Sequence, residues 1–113
     1  MQMKPIKNTF IFVLMMLFNS SLFAEPVWVD VRSYIENKID NIEGDIRISQ
    51  SDIVDEVSEL YPDKNTDIRL YCRSGVRAEN ALSALQKAGY SNVINVGSIE
   101  HARELRFSSE FVK

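Results

Sequence analysis

The chain is poor in the residues that hold disulfides and metals. Its 113 residues include one cysteine, Cys72, and one histidine, His101. A single cysteine excludes an internal disulfide, and one Cys with one His does not make the ligand set of a protein metal site. We therefore expect neither a disulfide nor a bound metal to stabilise the fold.

Glycine, proline and clustered charge are also scarce. The chain has 4 Gly and 3 Pro, which argues against a disordered or low-complexity protein. It has no block of lysine and arginine and a net charge of -3, so nucleic acid is not an expected partner. With 45% hydrophobic and 26% charged residues, the composition is that of one globular domain.

The first 24 residues have the order of a secretory signal peptide. Lys4 and Lys7 precede an unbroken apolar run over 10–18, and the small residue Ala24 ends the segment. The run is shorter than the roughly 20 apolar residues that span a bilayer. We predict a signal peptide over 1–24, a single domain over 25–113 and no membrane contact after cleavage. The alternative is an uncleaved N-terminal anchor.

Strands alternate with helices along the remaining residues, which predicts an α/β fold with a mainly parallel central sheet flanked by helices. Ligands of such sheets bind beyond the carboxyl ends of the strands, where Cys72 and Gly97 lie. Either Ser49 or Ser51 is expected to cap the second helix. The predicted strands are 27–31, 46–48, 68–71 and 93–96. The predicted helices are a short one that Ser33 caps and that runs to residue 37, one with Asp52 in its first turn that stops before Pro62, and two over 76–88 and 99–105, with a loose C-terminal end.

The loop that begins at Cys72 has the features of an anion-binding nest around a reactive thiol. It opens a helix, whose N-terminal N–H groups carry partial positive charge, and Arg73 and Arg77 add full charges. Gly75 permits a positive φ, so that successive N–H groups can converge. We predict a thiolate pKa near or below ~7, as for cysteines at helix N-termini. The alternative is a buried, inert cysteine, which the basic neighbours and Gly75 disfavour.

Such a nest suits thiosulfate, a doubly charged anion with a transferable sulfur. Attack by the Cys72 thiolate would release sulfite and leave a persulfide on the cysteine. A thiophilic acceptor such as cyanide or another thiol would then remove the outer sulfur. This chemistry requires no cofactor.

Four segments of the chain resemble the rhodanese superfamily. The stretch from Tyr71 to Ala78 is similar to its active loop, C-x-x-G-x-R followed by a small residue, and 29–32 is similar to its D-V-R motif. The segments 42–46 and 88–97 resemble two further family stretches. The likeness is greatest to the small exported single-domain rhodaneses of the phage shock protein E type, which are periplasmic thiosulfate sulfurtransferases. It implies the rhodanese-like fold and a periplasmic location.

The resemblance also implies roles for individual residues. Cys72 would carry the persulfide, and Asp30 and Arg32 would support the scaffold beside it. A basic residue after the cysteine, here Arg73, is similar to enzymes that favour thiosulfate over mercaptopyruvate. The substrate cradle would be the main chain of the next five residues, with Arg77 supporting the loop: Arg73, Ser74, Gly75, Val76 and Arg77.

The chain departs from the family pattern at the pocket wall and near the C-terminus. Asn41 stands where the family has His, Asp45 replaces a small Ala, and Ser98 replaces a second Gly. The usual aromatic residue of the last helix is absent near His101, for which we expect a surface role. These changes bear on substrate choice and catalytic efficiency more than on the thiol chemistry.

Three other functions remain to be weighed. A cysteine phosphatase of this fold uses C-x5-R, whereas four residues separate Cys72 from Arg77. A thiol-disulfide oxidoreductase usually needs a second cysteine, which is lacking. A non-enzymatic sulfur carrier or sensor, acting with a protein partner, stays open, and so does a protein acceptor for the enzyme.

Overall fold

The computed structural model describes residues 24–112, and the side chains as far as residue 108. The predicted signal peptide therefore lies, except for Ala24, outside the described residues. The elements follow in the order β1 (Val27–Asp30), α1 (Tyr34–Ile39), β2 (Ile46–Arg47), a 3-10 turn (Gln50–Asp52), α2 (Ile53–Leu60), β3 (Ile68–Cys72), α3 (Val76–Lys87), β4 (Val93–Ser98) and α4 (Ile99–Val112).

The four strands form one sheet in which every pair is parallel, in the order β2-β1-β3-β4. The predicted α/β architecture is thus confirmed. β1 and β3 lie in the middle, and Asp30 pairs with Tyr71, so the ends of both central strands meet at one edge. That edge is where the ligands of parallel sheets bind.

The helices cover both faces of this sheet. On one face, Ile53 and Val57 of α2 and Ala81 and Leu85 of α3 join the larger buried cluster. On the other face, Ile99 and Ala102 of α4 pack with Tyr71 and Val96. The apolar spacing that predicted α2 and α3 therefore corresponds to their buried sides.

Local capping explains why α1 forms although it buries no residue. The hydroxyl of Ser33 accepts a hydrogen bond from the backbone N–H of Glu36, and the Glu36 carboxylate accepts one from the backbone N–H of Ser33. This capping box satisfies two N–H groups that a short helix would otherwise leave unpaired. As a result, Glu36 has a fixed position at the start of α1.

Several boundaries differ from the prediction. β4 continues through Ser98 instead of ending at residue 96, because a bulge shifts its pairing with β3. α4 reaches Val112, so the loose end expected after residue 105 is wrong. The capping prediction for α2 is also wrong, since a 3-10 turn precedes the helix and its N-cap, Asp52, makes no side-chain capping bond. Within the described part of the chain, no helix is long and apolar enough to cross a membrane.

Candidate active site

Cys72 is the last residue of β3, one of the two central strands. Its side chain is buried, with 1% of the residue exposed, and it belongs to the larger core cluster. The loop 73–75 follows directly, and α3 begins at Val76. The cysteine thus lies between the end of a strand and the start of a helix, as the sequence predicted.

Backbone N–H groups surround the sulfur of Cys72. The N–H of Gly75 donates to Sγ at 2.9 Å, and the amides of Ser74, Arg77 and Ala78 also donate to it. Burial, the largest single influence, raises the pKa of the Cys72 thiol, but the four amides together outweigh it and the pKa lies below its ordinary value. The site therefore favours the thiolate, which is the nucleophilic form of cysteine.

Gly75 gives the loop the shape that this cradle requires. Its φ is +99°, in the left-handed region that glycine enters without a steric penalty. At this position the chain turns from the strand into α3, and the Gly75 carbonyl accepts the first helical hydrogen bond from the N–H of Glu79 at 2.9 Å. The predicted positive φ is confirmed.

The predicted cradle and the observed donors overlap without being identical. The structure brings the amides of 74, 75 and 77 onto the sulfur and adds Ala78, which the prediction had not included. The side chain of Arg73 is 77% exposed, and Val76 is also exposed, on the outside of the loop. Substrate binding by 73–77 stays a prediction.

Arg77 has a partner that the sequence prediction missed. Its two terminal nitrogens donate to the two carboxylate oxygens of Glu36 at 2.6 and 3.0 Å, and Arg73 lies 3.9 Å from the same carboxylate. The hydrogen bond from Arg77, and then that from the N–H of Ser33, hold the pKa of Glu36 well below its usual range. The ion pair links α1 to the first turn of α3. The signal in the sequence was the Ser33–Glu36 capping-box spacing.

Asp30 and Arg32 form a buried ion pair next to the site. Asp30 is fully buried and Arg32 is 4% exposed, and two nitrogens of the guanidinium donate to the two carboxylate oxygens at 3.0 and 2.8 Å. The amide of Asn37 also donates to Asp30, at 3.0 Å. Buried charges require this kind of pairing. The arrangement fits the predicted supporting role, which stays a prediction.

A shallow cavity of about 240 Å³ opens between α1, the Cys72 loop and α4. Its walls carry both signs of charge, and Ile39 adds an apolar side that is 80% exposed. The residues that line this cavity are Arg32, Glu36, Ile39, Asp40, Arg73, Ile99 and Glu100. In the described part of the chain, no group of three or more His, Cys, Asp or Glu side chains could hold a metal ion.

The departures from the family pattern have structural partners of their own. The carboxylate of Asp45 accepts hydrogen bonds from the hydroxyl of Tyr71 at 2.7 Å and from Arg106 at 2.6 Å. Ser98 accepts the backbone N–H of His101, in the first turn of α4, at 3.1 Å. The Asn41 amide donates to the carbonyl of Asn37 at 2.9 Å, and residue 41 is exposed. None of these contacts reaches the sulfur of Cys72.

His101 is exposed, as expected for a surface residue. Its ring Nδ1 lies 2.8 Å from the carbonyl oxygen of Val96. That carbonyl belongs to the bulged segment of β4, so the histidine packs where the strand turns into α4. The ring has no contact with the Cys72 loop among the hydrogen bonds of the described residues.

Comparison with known proteins identifies relatives of two kinds. The thiosulfate sulfurtransferase PspE of Escherichia coli (strain K12) is 29% identical over 87 residues, which are 77% of this chain and 84% of that protein. The tRNA uridine(34) hydroxylase of Erwinia tasmaniensis is 33% identical over 88 residues, which are 73% of this chain but 25% of the hydroxylase. The chain thus resembles nearly the whole of the first protein and about a quarter of the second.

Solved structures show the same fold. A rhodanese with anions from E. coli superposes with a TM-score of 0.65 and 27% identity, over 68% of this chain and 91% of that one. The human single-domain sulfurtransferase TSTD1 superposes with a TM-score of 0.60 over 80% of this chain, at 21% identity. The family model of the Rhodanese-like domain matches residues 18–101. The chain therefore belongs to the rhodanese-like family, and its sulfurtransferase relative PspE supports an enzyme of the sulfurtransferase type.

Proposed function

We propose that the protein is a thiosulfate sulfurtransferase. The thiolate of Cys72 attacks the outer sulfur of thiosulfate, a new S–S bond forms, and the bond to the central sulfur breaks. Sulfite leaves with the electron pair and two negative charges, and Cys72 becomes a persulfide anion. Charge and atoms balance without a cofactor, an oxidant or a reductant.

The observation that carries this proposal is the ring of backbone amides on the Cys72 sulfur. Four N–H donors favour the thiolate before the reaction, and the persulfide that would form on the same sulfur is also an anion. Donors that are already oriented stabilise developing charge without reorganisation during the reaction. Because no second cysteine exists, the persulfide cannot be resolved within the chain as a disulfide.

The second half-reaction returns the enzyme to its starting state. An acceptor nucleophile, cyanide or a thiol, attacks the outer sulfur of the persulfide, and Cys72 leaves as the thiolate that the amides stabilise. Thiocyanate is the product with cyanide. Acceptors would enter through the cavity between α1 and α4, whose wall includes the exposed Arg73, which can meet an incoming anion such as thiosulfate.

The site of action follows from the N-terminal segment. Cleavage after Ala24 would leave residues 25–113 as one rhodanese-like domain in the periplasm. The E. coli relative PspE, to which 77% of this chain aligns, is a thiosulfate sulfurtransferase and supports the proposed reaction. N-terminal sequencing of protein recovered from the periplasmic fraction should begin at Glu25; a chain that retains residues 1–24 in the membrane fraction would contradict this cleavage.

A non-turnover sulfur carrier or sensor is the second candidate. It is favoured by the burial of Cys72, by the exposed Ile39 that lines the cavity, and by relatives in which the matching segment is a quarter of a larger protein. Such a module would take up sulfur once and hold it until a protein acceptor docked. It would share the cradle and the persulfide but not the rapid transfer to a small acceptor.

One experiment separates these functions. Thiosulfate:cyanide transfer is measured with protein purified from cells that express the full chain, beside the Cys72→Ser variant. Thiocyanate formation that disappears in the variant supports the enzyme. A stoichiometric adduct one sulfur heavier, without turnover, supports the carrier. Absence of both turnover and adduct would overturn the two proposals together.

A further inference from the structure

We propose that Asn95 is a positioning residue for sulfur transfer, because its side chain clamps the loop that holds the Cys72 sulfur. Only the expected effect of Asn95 on the rate of sulfur transfer rests on the function proposed above. Its effect on the thiol itself can be measured whether or not thiosulfate is the donor.

The backbone around Asn95 is irregular. Leu70 of β3 pairs with Asn95 of β4, but the next residue, Tyr71, pairs with Gly97, so that β4 contains one extra residue. The Oδ1 atom of Asn95 accepts the N–H of Gly97 at 2.9 Å. A bulge leaves ladder groups without their regular partners and is often found next to a functional site. Here the Asn95 side chain supplies one of the missing partners.

The other end of the same carboxamide reaches the Cys72 loop. Its Nδ2 atom donates to the carbonyl oxygen of Gly75 at 3.0 Å and to Oε1 of Glu79 at 3.0 Å. The neighbours determine the orientation of the amide, since Oδ1 faces an N–H group and Nδ2 faces two oxygens. One side chain therefore joins the β4 bulge to both the N-cap and the first turn of α3.

Gly75 is the residue for which such a clamp has the largest effect. Gly75 has a φ of +99°, and because glycine is the least restricted residue of the backbone, this residue can adopt many other conformations. Its N–H donates to the Cys72 sulfur at 2.9 Å. Holding its carbonyl fixes the peptide that leads into α3, and with it the direction of the amides of Arg77 and Ala78, which also donate to the sulfur.

The clamp therefore acts on the thiolate through the loop. Without it, the glycine samples other conformations and the four amides no longer converge all the time. The thiol form tolerates this loss, whereas the thiolate depends on the donors. Loss of the equivalent of one neutral hydrogen bond, spread over the loop, should raise the thiol pKa by about half a unit to one unit.

The test compares two uncharged replacements with a matched control. Asn95→Ala removes the side chain, and Asn95→Leu keeps most of its volume without polar atoms. Asn92→Ala is the control, because Asn92 also donates to a backbone carbonyl, that of Asn65 at 3.3 Å, but at the opposite end of β4. For each variant we would measure the pH profile of Cys72 alkylation by iodoacetamide, the KM and kcat for thiosulfate, and the free energy of unfolding.

The expected result is a shift of the alkylation profile to higher pH in both Asn95 variants and no shift in the control. Thiosulfate turnover at neutral pH should fall in step with the thiolate fraction, by about 2- to 5-fold for a thiol whose pKa starts near ~7. Reduced stability with an unmoved profile would overturn the proposal and leave Asn95 as a partner of the bulge alone. If the wild type lacks thiosulfate turnover, the function proposed above fails, and the alkylation profile still decides the role of Asn95.

Discussion

Replacing Gly75 by alanine tests whether the conformation of one loop residue controls the thiol. The new Cβ would lie 3.5 Å from the Cα of Gly97, which is ordinary van der Waals contact. Steric overlap is therefore not the main effect. The φ of +99° is the problem, since an L-residue held in the left-handed region costs about 1–2 kcal/mol.

The size of this strain relative to the amide hydrogen bonds decides the outcome. Hydrogen bonds to a charged group contribute about 1.5–3 kcal/mol each, which is as large as the strain or larger. The thiolate of Cys72 should therefore hold the strained loop in place, whereas the thiol form lets it relax. The strain then opposes ionisation alone, so the pKa of Cys72 should rise by about one unit.

Gly44 supplies the matched control. Its φ is +92°, close to that of Gly75, and an added Cβ at Gly44 would meet nothing within 4 Å. Gly44→Ala should therefore lower the free energy of unfolding by a similar 1–2 kcal/mol without touching the sulfur. Denaturant unfolding at pH 8 and the pH profile of Cys72 alkylation would be recorded for both variants and the wild type.

If the conformation of Gly75 controls the thiolate, both variants should lose stability, but their pH profiles of Cys72 alkylation should differ. Only Gly75→Ala should move the alkylation profile to higher pH, and sulfur transfer at neutral pH should fall with it. Equal losses of stability with identical alkylation profiles would refute the idea that the Gly75 conformation sets the thiolate. A profile that moved in Gly44→Ala would show that general destabilisation, and not the loop, is being measured.

Two further predictions concern the rim of the site and the last helix. Glu36→Gln should cost about 1 kcal/mol at neutral pH, because Arg77 loses a partly exposed ionic partner. Since the pKa of Glu36 is lowered in the fold, its contribution starts to fall as the pH drops below ~4.3 and vanishes only below the folded pKa, so the stability difference between the two proteins should narrow from neutral pH to pH 3 in urea titrations. Ser98→Ala removes the hydroxyl that caps α4 and should cost about 0.5–2 kcal/mol while leaving the alkylation profile unchanged.

Much of the fold could be predicted from periodicity and turn residues. The run ending at Cys72, the glycine at 75 and the helix behind it define a strand, a turn and an amphipathic segment by local rules. Local rules do not predict how segments that are distant in the sequence pair with each other. The extension of β4 to Ser98 depends on a bulge against β3, and a bulge becomes visible only once two strands are in register.

The candidate site likewise has a part that the sequence predicts and a part that depends on the tertiary fold. The sulfur and the N–H donors at 74, 75 and 77 come from one short stretch, so the loop motif alone predicted them. Glu36 and Asn95 were not predicted as site residues, because they lie 41 residues before Arg77 and 20 residues after Gly75. Their alignment with the loop depends on the sheet, which places the ends of distant elements at one edge.

This division explains why the departures from the family pattern are compatible with the proposed chemistry. Stabilisation of the thiolate depends on backbone amides, and replacing a side chain at position 45 or 98 does not remove an amide from the loop. Asp45 instead forms a bridge from Tyr71 to Arg106 on the α4 side of the sheet, and Ser98 caps α4. In the proposed function, acceptor choice would instead depend on the side chains that line the cavity, including Ile39, Arg73 and Glu100. Sequence changes in this family should therefore alter which acceptor enters before they alter how the sulfur is held.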